Sequence, residues 1–143
     1  MTLDHGVKHL ARALLEGIAF RFRSLKEVLI DVGVDVRQIL ASGGFTKSPL
    51  WLQVMADALD RELMIPAWGD TSALGAAFWP LLSAAGEEAL EKAGDFVKPV
   101  ETCRPNPENV QIYNRIYPVF VQLYQSLEKS FDDVSELQRT LER

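Results

Sequence analysis

The sequence predicts a single helix-rich α/β domain over residues 1–143, with a short sheet at its centre, and three observations lead there. Apolar residues recur at steps of three and four near both ends of the chain, the period of amphipathic helices. Between them lie two short apolar runs, Gln38–Ala41 and Glu62–Ile65, each followed by a Gly or Pro turn and then by a capped helical pattern. The length, 143 residues, with 48% hydrophobic, 24% charged and 9% aromatic residues, is that of one ordinary globular core.

The first helix is expected from Leu3 to about Val32. Val7, Leu10, Ala11, Leu14, Leu15, Ile18, Phe22, Leu25 and Leu29 would form its buried face, and Gly33 its stop. Gly6 and Gly17 each cost such a helix about 1 kcal/mol relative to Ala, so Gly17 implies a close packing contact. Gln38–Ala41 reads as a buried strand that enters the turn Ser42-Gly43-Gly44. Ser48 then caps a helix with Pro49 at its first position and an apolar face of Leu50, Trp51, Val54, Met55, Ala58 and Leu59. Glu62–Ile65 reads as a second strand ended by Pro66. After the loop 67–70, Thr71-Ser72 opens a helix whose small residues Ala73, Gly75, Ala76 and Ala77 would admit a close neighbour, and which Pro80 would bend. Gly86 ends it, a polar turn covers Glu87 to Ala93, and Lys98–Pro107 reads as an extended connector. Asn106 or Asn109 starts a last long helix holding Ile112, Ile116, Val119, Phe120, Leu123, Leu127, Phe131 and Val134 at the helical step, with a kink expected near Asn114 from Pro118.

Several function classes drop out. Fifteen Lys and Arg against twenty Asp and Glu give a net charge of −5, a sign that disfavours nucleic acid and anionic membrane as partners. The longest mostly apolar stretch, Leu74–Leu82, is far short of the ~20 residues that cross a bilayer. No basic stretch feeds an apolar run at the N-terminus, so a cytoplasmic location is expected. One cysteine, Cys103, cannot form an intramolecular disulfide, and His5 and His9 lack a third partner for a metal, so no metal site is expected.

Chemistry concentrates at Ser42-Gly43-Gly44-Phe45-Thr46-Lys47-Ser48. Paired glycines between a strand and a helix N-terminus let the backbone approach a phosphate or lie flat against a planar ring, because no Cβ intervenes. The same residues also suit a plain tight turn. Neither the G-x-x-x-x-G-K-[ST] nor the G-x-G-x-x-G spacing is present.

The longer string Leu40-Ala41-Ser42-Gly43-Gly44-Phe45, then Ser48, Trp51, Gln53, Ala56-Asp57, Pro66 and Ala73-Leu74-Gly75-Ala76-Ala77, resembles the C-terminal half of the FGGY carbohydrate kinases. Upstream, Arg12-Ala13-Leu14-Leu15-Glu16-Gly17-Ile18-Ala19-Phe20 is similar to that family's R-A-x-x-E-G-x-A-F helix. Downstream, Pro105-Asn106-Pro107-Glu108-Asn109 with Tyr113, Tyr117-Pro118-Val119-Phe120 and Leu123-Tyr124 is most similar to the gluconate kinase branch, with xylulose kinases next.

The resemblance implies the actin-like ATPase (ribonuclease H-like) fold, of which this chain would be the C-terminal, ATP-binding domain without the N-terminal sugar-binding domain. It implies ATP and Mg²⁺ as the cofactors of the intact enzyme. Gly43 and Gly44 would lie against the nucleotide, Ser48 would bond the adenine, and Phe45, where a small residue is commoner, would line the base or only pack. Lys47 is expected as a solvated lysine, Trp51 as core, Asp57 as a partner for backbone or a neighbouring side chain, and Glu16 in a helix-face salt bridge. The Ala73–Ala77 segment would be a close-packing wall behind the nucleotide. The catalytic aspartate is expected in the N-terminal part, and none of Asp57, Asp60 or Asp70 qualifies as its substitute. The sugar would be reached only through that missing part, and the chain alone should not turn over. The competing expectation is a non-catalytic interaction domain whose long-helix apolar faces serve a partner or a homodimer.

Overall fold

The computed structural model describes residues 4–67, 71–85 and 98–141. Helix α1 spans Val7–Asp31, strand β1 Ile39–Leu40, a 3₁₀ turn Gly44–Lys47, and helix α2 Pro49–Leu59. Strand β2 (Leu63–Pro66), helix α3 (Thr71–Ala85), strand β3 (Pro99–Cys103) and helix α4 (Pro107–Leu141) complete the order.

The three strands lie in the order β1-β2-β3. β1 runs parallel to β2, joined through α2, with Ile39 opposite Leu63 and Leu40 opposite Met64. β3 returns antiparallel, Leu63 opposite Cys103 and Met64 opposite Thr102. The expected connector at 98–107 is therefore in part a strand. Pro99 is admissible at a strand's first residue, where a missing N–H costs little, and Val100-Glu101-Thr102 supplies extended-favouring residues after it.

Helix α2 is the centre of the core. Leu52, Val54, Met55, Ala56, Ala58 and Leu59 are all buried, together with Leu63, Ala41, Ala19, Phe20, Tyr113 and Tyr117. Phe20 is ringed by Tyr113, Tyr117 and Phe120 at centroid distances of 5.6, 5.7 and 5.4 Å. Its C-terminus ends on Asp60 in the left-handed conformation, φ 51°, and the last carbonyls are taken up by α1. Lys26 Nζ donates to Leu59 O at 2.7 Å and Arg23 Nη1 to Ala58 O at 3.3 Å.

The long helices depart from expectation in which face they bury. In α1 the buried residues are Ala19 and Phe20, whereas Val7, Leu10, Leu14, Phe22, Leu25 and Leu29 are exposed. In α4, Val110, Tyr113 and Tyr117 turn inward while Ile112, Ile116, Val119, Leu123, Leu127, Phe131 and Val134 are exposed. Periodicity locates an apolar stripe without saying what covers it. The contact between the two helices is instead polar and aromatic. Arg12 Nη2 donates to Tyr113 Oη at 2.6 Å, and that hydroxyl donates to Glu16 Oε1 at 3.0 Å. Tyr117 Oη donates to Glu27 Oε2 at 2.7 Å, with the Arg23 guanidinium 4.2 Å from the centre of its ring.

Two glycines behave differently from expectation. Gly6 lies outside α1 as its N-cap residue, where its N–H donates to His9 Nδ1 at 3.2 Å. A Cβ placed on Gly17 would meet nothing within 4 Å among the described residues, so none of them is the close neighbour that this glycine implied. α4 starts on Asn106, whose Oδ1 accepts from Glu108 N at 2.9 Å, with Pro107 at its first position, and stays one helix through Pro118. Trp68, Gly69, Asp70 and the expected Gly86 stop and Glu87–Ala93 turn lie outside the described residues.

Candidate functional site: the Gly43–Gly44 turn

The turn stands at the C-terminal end of β1 and leads directly into α2, the position where open parallel sheets present ligand sites. Gly43 adopts φ 97°, ψ −175°, a region that only glycine occupies without strain. Gly44 begins the 3₁₀ turn, is exposed, and a Cβ on it would meet no atom within 4 Å among the described residues. Its outer face is thus open backbone, wide enough for a flat ring or a phosphate to lie against.

The turn is held by its own residues. Thr46 N and Thr46 Oγ1 both donate to Gly43 O, at 3.2 and 2.7 Å, and Ser48 N donates to Phe45 O at 3.1 Å. Thr46 was not singled out from the sequence. The signal was its spacing of three from Gly43, the reach of a hydroxyl-capped turn. Ser48 Oγ accepts from Trp51 N at 3.4 Å as the N-cap of α2, which leaves its own proton to be donated elsewhere.

Phe45 is half-buried and packs against Trp51, ring centroids 5.8 Å apart, and both rest on the core. Trp51 Nε1 is buried without a hydrogen-bond partner among the described residues. Lys47 is exposed at the end of the turn. The structure thus brings Gly43, Gly44, Phe45 and Ser48 into one surface feature, as any contiguous turn must. Ala73, Gly75, Ala76 and Ala77 are exposed on α3, and among the described residues nothing lies within 4 Å of a Cβ on Gly75.

Asp57, the one buried charged side chain among the described residues, is fully committed elsewhere. Its Oδ1 accepts from Gln53 Nε2 and Asn106 N, each at 2.7 Å, and its Oδ2 from Asn109 Nδ2 at 2.8 Å. It clamps α2 to the start of α4. Gln53 extends the clamp to Arg104 O at 3.0 Å and accepts from Cys103 Sγ at 3.8 Å. Burial, aided by Asp57 and Glu101, raises the Cys103 thiol pKa, which keeps it protonated. Glu16 pairs with Arg12 at 2.7 Å along α1, as expected. His5 and His9 contact each other edge to face at 5.3 Å. Among the described residues no three His, Cys, Asp or Glu side chains converge on a point, so these residues do not fit a metal by themselves.

A model of the FGGY family of carbohydrate kinases, C-terminal domain, matches residues 1–83. A gluconokinase of Bacillus licheniformis is 28% identical over 142 residues, covering 99% of this chain and 28% of that protein. A ribulokinase of Halalkalibacterium halodurans is 33% identical over 147 residues, covering 98% of the chain and 26% of its own length. The crystal structure of xylulose kinase from Rhodospirillum rubrum superposes with a TM-score of 0.76 at 34% identity, over 92% of this chain and 27% of that one. The chain therefore spans just over a quarter of the length of these relatives.

Proposed function

The chain belongs to the FGGY family of carbohydrate kinases, and from that premise we propose that residues 1–143 are the nucleotide-binding C-terminal domain of a cytoplasmic, ATP-dependent sugar kinase. The observation that carries the reading is the open Gly43–Gly44 backbone at the strand-to-helix turn of a parallel β-α-β unit. Gly44 would face the α-phosphate and adenine, Gly43 would supply the left-handed bend that exposes it, and the Ser48 hydroxyl would donate to the base. Phe45, backed by Trp51, would form one side of the base pocket.

In the proposed reaction a sugar hydroxyl attacks the γ-phosphorus of ATP, ADP leaves, and the hydroxyl proton passes to a carboxylate from the N-terminal portion of the enzyme. Mg²⁺ carried on the nucleotide would neutralise phosphate charge. This domain's part is to hold the nucleotide and to exclude water on closure. Asp57 is saturated by three hydrogen bonds and is not that base, and with the carboxylate supplied from the N-terminal portion the chain alone should not turn over.

Gluconate is the proposed acceptor, supported by the gluconokinase relative and the Pro105–Tyr124 pattern. Relatives named for ribulose and xylulose match nearly as much of the chain, which fits a domain that holds the shared nucleotide while the sugar is chosen elsewhere.

Backbone amide NMR of the chain titrated with ADP tests the site. Shifts confined to residues 42–48 and the start of α2 are expected, and shifts scattered elsewhere, or none, would overturn it. For the acceptor, the intact enzyme should show its highest kcat/KM with gluconate; preference for xylulose or ribulose would replace the acceptor and leave the nucleotide site standing.

A further inference from the structure

We infer that the exposed apolar stripe of α4 is the contact surface of a two-fold dimer, in which α4 of one copy lies antiparallel against α4 of a second copy of this chain. The inference goes beyond the nucleotide reading and does not depend on it. α4 rests on the core no further than Val121, and from residue 122 to residue 141 every residue is exposed, about 30 Å of helix. Helices in proteins draw most of their stability from packing an apolar face, and here that face is bare. The stripe includes Ile112, Ile116, Leu123, Leu127, Phe131 and Val134, all exposed by 38% or more, and runs on to Leu141. Its residues recur about every 3.6 positions, the pitch of the helix itself, so it follows one straight side of α4 next to the line of Tyr113 and Tyr117 that faces the core.

The surface is complementary to itself in shape and in charge. At its start, beside the core, Ile112, Arg115, Ile116 and Val119 line a shallow cavity of about 420 Å³. At its end the same stripe projects on a free helix. Each copy thus offers both a hollow and the apolar helix to fill one, which is the reciprocal arrangement of a two-fold contact. Arg115 and Asp133 flank the stripe on the same side, because an offset of eighteen residues makes about five whole turns. Both are exposed, and among the described residues neither is in an ion pair. Tyr124 lies midway between them in sequence. Antiparallel helices that cross at Tyr124 set Arg115 of each copy against Asp133 of the other and carry Phe131 and Val134 to the hollow at 112–119. A parallel pair would set Arg115 against Arg115 and Asp133 against Asp133. Copies of net charge −5 repel each other, so the apolar stripe supplies the association and the two crossed charge pairs its direction.

Sedimentation equilibrium of the full chain tests the dimer. At concentrations on the order of 100 μM the parent should sediment at twice the 16.0 kDa of one copy. Arg115→Asp and Asp133→Arg should each weaken self-association about tenfold or more, because each sets like charges together at both crossings. Mixed in equal amounts, the two variants should associate as tightly as the parent, since both crossings then pair opposite charges. The double variant should do so by itself. No contact within one chain predicts that rescue, because the two residues stand about 27 Å apart along the helix. Phe131→Glu should leave a monomer. A monomeric parent overturns the proposal and leaves the stripe to a different partner, such as the remainder of a longer kinase. A dimer indifferent to both reversals and to Phe131→Glu overturns it, and so does failure of the mixed variants to recover. If a single variant does not fold, as read by circular dichroism, the double variant carries the test, and loss of its self-association overturns the proposal equally. Nucleotide binding is read separately on the same chain, so failure of the dimer and failure of the nucleotide reading are told apart.

Discussion

Replacing Asp57 by alanine removes the clamp between α2 and α4, and the structure sets the size of the effect. The carboxylate is 1% exposed and accepts three hydrogen bonds of 2.7 to 2.8 Å, from Gln53, Asn106 N and Asn109. Hydrogen bonds to a charged group contribute about 1.5–3 kcal/mol each, but the alanine variant also escapes the several kcal/mol that it costs to bury a carboxylate. The net expectation is a loss of about 3–5 kcal/mol, driven by three donors left in a dry site. That is a large share of the ~5–15 kcal/mol that holds a typical domain together. Asp57→Asn keeps one acceptor oxygen but turns an NH₂ toward a donor, and should cost less, about 2 kcal/mol. Urea denaturation followed by circular dichroism measures both, with the m-value expected to stay unchanged. An alanine loss below about 1 kcal/mol would refute the reasoning and leave the Phe20 aromatic cluster as what holds α4.

The remaining outcomes follow from particular residues. Gly44→Val should leave the urea midpoint within error of the parent, since its Cβ meets nothing, while abolishing ADP binding; Gly43→Ala should instead destabilise by about 1–2 kcal/mol through its φ of 97°. Tyr113→Phe should cost about 1–2 kcal/mol in the same denaturation assay, because Arg12 and Glu16 both lose a partner. Burial, with help from Glu16, pushes the Tyr113 pKa up to about 12, against the usual 10. A pKa raised on folding stabilises fully below the unfolded value, so the parent should lose stability between pH 10 and 12, and Tyr113→Phe should lose less over that window. Lys26→Met should cost about 1 kcal/mol by uncapping the Leu59 carbonyl, read as a lowered urea midpoint.

Much of the element order was legible because it is written in local signals. Ser48-Pro49 marks the start of α2, Gly33 at φ 88° follows α1, and Asn106-Pro107 opens α4, each a residue type doing what its own geometry dictates. The glycine turn was legible for the same reason, down to the capping serine. What escaped was set by distant partners. β3 is a strand because β2 offers it a ladder, a fact absent from Pro99–Cys103 itself. The exposed stripes of α1 and α4 obey the same periodicity as buried ones, so the sequence could not say that Phe20, Tyr113 and Tyr117 would face the core and Leu25 or Ile116 would not. Nor could it show that Asp57 gathers Gln53 from its own helix and Asn106 and Asn109 from about fifty residues away. The Ala73–Ala77 stretch shows the same limit, since small residues permit a close neighbour without saying what it is.

The central claim is that the Gly43–Gly44 turn is half of an adenine nucleotide site. Calorimetric titration of the purified, folded chain with ADP and ATP, with and without Mg²⁺ and with GTP as the control for the base, tests it most directly. The account predicts adenine-selective binding with a Kd on the order of 0.1–1 mM, about −4 to −5.5 kcal/mol, lost in Gly44→Val. Equal binding of GTP, or no binding of any nucleotide at millimolar concentration, would contradict a preformed half-site and leave the turn as a strand-to-helix connection.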